Sequence, residues 1–236
     1  MANLVLIRLT AVIAACAVLG ACMRARTEEV REMATVVGET EGIVVLAKPQ
    51  TDGAGTEAKF LDCVGDNLKS GAHGFKVHDN EAFVDAMFPW FEPSTAPVRP
   101  EGVTELLLHE EVAKRLETTG VRYVVWLNGV TRKTDSGGSL ACGAAPGAAG
   151  CIGFGWWEKE SDYQATVWDL KQSRSAGSVS ADVTGTSALV GAIVPLPFIA
   201  RVQGTACNRL STQLKSFLHG EPAAESKPVV RKNSKL

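Results

Sequence analysis

The first 22 residues constrain this chain more than any other segment. A single early cation, Arg8, is followed by the run Leu9-Thr10-Ala11-Val12-Ile13-Ala14-Ala15-Cys16-Ala17-Val18-Leu19-Gly20-Ala21, which carries no charge. A bilayer span needs roughly 20 apolar residues, so the run is too short for one and has the length of the apolar core of a secretory signal. The expectation is a chain that folds outside the cytoplasm, in a compartment where cysteines pair. The remainder suits that: 236 residues, 45% hydrophobic and 21% charged, are enough for one sizeable core. Lys plus Arg is 24 against 26 for Asp plus Glu, which offers little to a phosphate backbone, so nucleic acid is not expected as a partner.

The run ends in Leu19-Gly20-Ala21-Cys22. This resembles the bacterial lipobox, in which a leucine and two small residues precede a cysteine that is diacylated and becomes the new N-terminus. The resemblance implies a signal peptide over residues 1–21, cleavage before Cys22, and a thioether-linked diacylglycerol with an N-acyl chain on Cys22. Each buried methylene adds about 0.8 kcal/mol, so several chains anchor far more firmly than one. Met23 stands where an Asp would resemble an inner-membrane retention signal, and the resemblance therefore implies the outer membrane, periplasmic face. The alternatives are a plain signal peptide with an incidental cysteine, or an uncleaved anchor.

With Cys16 removed and Cys22 lipidated, four cysteines remain: Cys63, Cys142, Cys151 and Cys207. An even number in an oxidising compartment suggests two disulfides, with three possible connectivities; Cys142 and Cys151 flank a Gly/Ala-rich loop that a bridge would close locally, and Cys63 and Cys207 would then pair by elimination. In the chain-entropy description the long closure contributes about 4–5 kcal/mol and the short one about 2–3 kcal/mol. No Cys-x2-Cys pair occurs and the four histidines do not fall at ligand spacings, so neither a metal nor a cofactor is expected.

Residues 22–40 read as a charged tether. Residues 42–47, Gly-Ile-Val-Val-Leu-Ala, form a short apolar run of the kind buried on both faces of a sheet. Phe60, Leu61, Val64 and Leu68 recur at helical spacing up to Gly71; residues 75–78 suggest a strand and 81–87 a short helix. Pro89, Pro93 and Pro97 make the stretch around Trp90 irregular. A helix is expected over 103–119, with Gly120 as its stop. Strands are expected over 121–129, 163–170 and 178–184, the last two forming an antiparallel meander, with a Gly/Ala-rich excursion after the first. Ile199, Val202, Ala206, Leu210, Leu214, Phe217 and Leu218 trace the stripe of a closing helix, and residues 220–236 read as a disordered tail. The predicted fold is α/β with an α+β tendency: one mixed sheet with helices on its faces, in a single domain over residues 41–219.

This order, with the apolar strand 43–47, the helix before Gly120, Tyr123-Val124-Val125-Trp126-Leu127-Asn128-Gly129 and Trp168-Asp169-Leu170 followed by Gly177, resembles the periplasmic domain of the curli-secretion lipoproteins and of lipoproteins with a TolB N-terminal-like fold. The resemblance implies a non-enzymatic part in an envelope assembly of the secretion or polymer-export type, with envelope proteins or further copies as partners. The Trp156-Trp157 excursion and the four cysteines depart from that pattern.

None of the nucleophile-elbow, Walker A, dinucleotide-fold or zincin signatures occurs, and the chain is not expected to be an enzyme. His73, His78 and His109 read as surface or satisfied side chains. Asp169 and Asp182, on adjacent expected strands, are the one carboxylate pair that acid/base chemistry could use. The candidates for partner binding are aromatic: Phe154, Trp156 and Trp157 in the cysteine-flanked loop, and Trp90 in the proline-rich segment. Two rivals follow, a module binding glycan or peptide on that aromatic loop, and a hydrolase with a site assembled from dispersed residues.

Overall fold

The computed structural model describes residues 23–49, 56–145, 148–191 and 195–221. The expected signal peptide, Cys22 and the greater part of the expected tail lie outside these residues. Among the described residues seven strands form one mixed sheet: β1 (Met23–Arg31), β2 (Gly42–Ala47), β3 (Val77–His78), β4 (Val121–Ala145), β5 (Ala148–Asp169), β6 (Arg174–Gly191) and β7 (Pro195–Phe198). Their order is β1-β6-β5-β4-β2-β3, with β7 paired to β6. Five helices are described: α1 (Ala58–Lys69), α2 (Asn80–Ala86), α3 (Pro100–Leu107), α4 (Glu110–Thr119) and α5 (Val202–Leu218). The α/β class with one mixed sheet, an antiparallel C-terminal part and a closing helix is as the sequence suggested.

The described chain divides into two compact units. One holds residues 26–130, 162–181 and 206–221, the other residues 23–25, 131–161 and 182–205. The larger unit is the α/β part. β2 pairs in parallel with β3 (Ile43↔Val77) and with β4 (Val44↔Val124, Leu46↔Trp126), which is why Ile43 to Leu46 are buried without alternation. Trp126 stacks on Phe91 at 6.4 Å and meets Trp168 edge-on at 5.5 Å, in a cluster with Phe83, Met87 and Leu116. Phe60 of α1 stacks on Tyr163 of β5 at 3.5 Å. The disulfide Cys63–Cys207 ties α1 to α5, the long-range pairing reached by elimination.

Three features differ from the sequence reading. Met23–Arg31, expected within a tether, is β1: Glu32 N–H and Met33 N–H donate to Ala176 O just beyond its end, and Arg31 reaches Phe217 O at 2.9 Å. Its exposed, charged side chains suit an edge strand, where a buried face is not required. The excursion after residue 129 is ladder: β4 and β5 run 25 and 22 residues. The helix expected over 103–119 is two, α3 and α4, because the chain turns at Leu108 and His109, where the backbone is extended, and α4 starts after it.

Two glycines are fixed by backbone approach. At Gly129 (φ +143°) a Cβ would lie 2.0 Å from Asp162 O, and at Gly177 (φ +137°) 2.1 Å from Val30 O, so strand pairing closes only with hydrogen in those places.

Candidate functional site: the uncharged strand pair

In the smaller unit, β4 and β5 leave their charges behind. Arg132, Lys133 and Asp135 on β4, and Glu158, Lys159 and Glu160 on β5, bound a stretch, residues 136–157, with no Asp, Glu, Lys, Arg or His. The two arms pair antiparallel. Thr131 Oγ1 lies 2.7 Å from Ser161 Oγ and Arg132 Nε lies 3.5 Å from Glu160 Oε2. Further along, Gly138 lies against the Phe154 carbonyl and the Trp156 indole lies over Gly137, where a Cβ would sit 3.0 Å from its Nε1. At about 3.4 Å per residue, each uncharged arm of about ten residues extends about 34 Å.

The aromatic candidates fall at the inner end of this stretch. Phe154 is 47% exposed, and Trp156 and Trp157 are half-buried, immediately before the charged Glu158-Lys159-Glu160. Trp90 does not join them: it belongs to the larger unit, half-buried against the core, with the Arg115 guanidinium 5.3 Å from its ring. Cys142 is disulfide-bonded, and the side chain of Cys151, its expected partner, lies outside the described ones. The neighbouring strand β6 pairs with β7 (Ala188↔Phe198, Gly191↔Pro195) within a segment, residues 188–200, that is apolar throughout by sequence.

The larger unit accounts for the other candidates. The Asp169 side chain is fully buried: Oδ2 accepts from Arg122 Nη2 at 2.6 Å, and Oδ1 accepts from the backbone N–H groups of Lys171 and Gln172, both at 2.9 Å. Arg122 also faces Glu41 Oε1 at 3.5 Å, and Lys171 Nζ donates to the same oxygen. The Lys171 hydrogen bond, then the Gly38 N–H, hold the Glu41 carboxyl below its usual range. Burial pulls the Arg122 guanidinium down, and the hydrogen bond and charge of Asp169 outweigh it, for a net upward shift. Asp169 is thus engaged in an ion pair and a turn. No sequence signal pointed to Arg122, 47 positions away.

His78 lines a pocket of about 190 Å³ with Asp79, Ala82, Phe83, Ala86 and Thr119. Its Nε2 is buried with no hydrogen-bond partner in the described structure, and burial, then the Lys76 charge, push its pKa down, so the ring is neutral near pH 7. His73 and His219 meet edge-on at the rim of a second pocket of about 290 Å³, where His219 also stacks on Phe75 at 4.4 Å. His109 is exposed at the start of α4 and makes no side-chain capping bond.

No protein-family model matches the chain, and no curated protein matches it. Among solved structures the chain is similar to the PelC dodecamer from Paraburkholderia phytofirmans, at 11% identity over 85% of this chain and 99% of that one, with a TM-score of 0.37. It is also similar to the hypothetical protein CT253 from Chlamydia trachomatis, at 10% identity over 75% of this chain and 98% of that one, with a TM-score of 0.36. Superpositions this loose carry no argument about what the chain does.

Proposed function

We propose that the chain is a lipid-anchored protein of the bacterial outer membrane, acting through assembly with envelope proteins or further copies rather than through catalysis, and that its uncharged strand pair is the part that seats in the membrane. The observation that carries this reading is the match between residues 136–157 and what a bilayer asks of a strand. A membrane-crossing strand takes about 9–11 residues, its backbone paired within the sheet and its charges at the ends. The β4–β5 pair has about ten uncharged residues on each arm, and its backbone polar groups bond across the ladder. Tryptophans concentrate where hydrocarbon gives way to headgroups, and Trp156-Trp157 stand at that boundary in the sequence, one step from three charged residues. The lipobox at residues 19–22 supports the same address.

The test is crosslinking in cells, purification of the detergent-extracted protein, and mass spectrometry of what accompanies it. The reading expects acylated Cys22 and a defined set of envelope proteins or higher multiples of the chain, diminished when Trp156 and Trp157 become Ala. Recovery of the chain alone, acylated and unaltered by the substitutions, would favour a glycan- or peptide-binding role for the aromatic loop instead.

A further inference from the structure

The strand β1 starts at Met23, one peptide bond from the lipobox cysteine, so an acylated Cys22 has no slack chain between its lipid and the sheet. On that anchored reading, what surrounds Met23 is set against the membrane. Around Gly185 of β6 three side chains converge: a Cβ there would lie 2.8 Å from Val202 Cγ2, 3.0 Å from Ala200 Cβ and 3.5 Å from Met23 Cγ. Ala200 N–H donates to Ser187 Oγ at 3.0 Å, which fixes the segment leading into α5 beside β6. Two large apolar side chains on this small surface remain in solvent, Met23 at 40% and Ile199 at 66% exposure. Next after Met23 in the strand, and therefore on the other face at the same end of β1, is an exposed arginine, Arg24, and two positions after Ile199 is another, Arg201; neither forms an ion pair among the described residues.

We infer that Met23, Arg24, Ile199 and Arg201 form a seat for an anionic phospholipid surface, with the apolar pair in the interface and the two guanidinium groups on lipid phosphates. The inference rests on the anchored reading of Cys22 and is independent of whether the β4–β5 pair enters the bilayer. Exposed apolar side chains with flanking cations are what interfacial binding uses, and each cation near an anionic leaflet contributes to the attraction. A protein partner is the competing occupant; the unpaired cations, and the acyl chains one residue away, favour lipid. Held this way the sheet is fixed at its lipid end instead of swinging on a tether.

The test uses the purified lipoprotein with Ile199→Cys carrying a bimane label, reconstituted in vesicles of phosphatidylethanolamine and phosphatidylglycerol that contain a headgroup-spin-labelled lipid. Bimane emission is expected to fall at least twofold, and the double variant Arg24→Gln/Arg201→Gln is expected to restore most of it. Oxidation of the native Met23, which needs no substitution, is expected to slow several-fold on reconstitution. A mass showing acylated Cys22 with unquenched bimane and unprotected Met23 overturns the inference and leaves the lipoprotein reading intact. Quenching that the arginine variants leave unchanged overturns the anionic seat. A mass showing unmodified Cys22 overturns both.

Discussion

Replacing Asp169 by Ala removes three interactions at once from a side chain with no solvent exposure: the 2.6 Å bond from Arg122 and the two 2.9 Å bonds from the Lys171 and Gln172 backbone N–H groups. Breaking a buried pair by deleting one partner costs about 3–5 kcal/mol, chiefly because the other charge is stranded. Here Arg122 keeps Glu41 at 3.5 Å and some exposure to water, which places the loss at the lower end, about 3 kcal/mol. For a domain of this size that is about 6–12 °C in Tm. Urea unfolding of the detergent-solubilised, oxidised protein, followed by circular dichroism, measures it. In the cycle with Arg122→Met, the double variant is expected to lose at least about 1 kcal/mol less than the two single losses combined, since removing both charges leaves none unpaired. A loss under about 1 kcal/mol for Asp169→Ala, or strict additivity in the cycle, would refute the assignment of Asp169 to a structural ion pair.

Cys63→Ala/Cys207→Ala opens a bridge between residues 144 apart, and the chain-entropy relation gives a loss of about 5 kcal/mol, read as a lower urea midpoint for the variant than for the oxidised protein. Because burial lowers the His78 pKa below its ordinary 6.5, the unfolded chain takes up the proton first on acidification. The His78 contribution is therefore complete above pH 6.5 and falls away as pH drops from there toward the folded-state pKa. His78→Asn is expected to flatten the stability–pH curve in that window, and an unchanged slope would contradict the placement of the ring. Gly177→Ala forces a methyl group onto the Val30 carbonyl at a φ of +137°, and is expected to abolish the folded yield or lower Tm by about 10 °C or more, measured by thermal denaturation.

Where burial pattern and element coincide, the sequence was readable. Gly42–Ala47 is apolar at every position because β3 and β4 flank it and both faces are covered, and β4 begins with the same signature from Val121 to Leu127. β1 was not readable: an edge strand with charged side chains has no buried face to impose alternation, and its identity comes from pairing with β6. The outer halves of β4 and β5 were opaque for a different reason. Gly and Ala carry no period, so what makes them strand is the register set by Thr131 against Ser161 and Gly138 against Phe154. The break at Leu108 was hidden because the apolar stripe continues on both sides of it, in Val103 and Leu116. At the candidate site the Trp156-Trp157 doublet stood out in the sequence, but its setting, at the charged boundary of a long uncharged strand pair, required the ladder.

The measurement closest to the central claim is tryptophan emission of the reconstituted lipoprotein in vesicles of brominated against ordinary phospholipid. Trp126 and Trp168 are 2% and 4% exposed, which shields them from lipid bromine and leaves Trp156 and Trp157 as the main reporters, with half-buried Trp90 removed by Trp90→Phe. If the uncharged pair seats in the membrane with its tryptophans at the headgroup boundary, brominated lipid quenches a substantial share of the emission, most strongly when the bromines are near the headgroups, and Trp156→Phe/Trp157→Phe abolishes that share. Equal emission in the two kinds of vesicle, from protein whose Cys22 is acylated, would contradict the account.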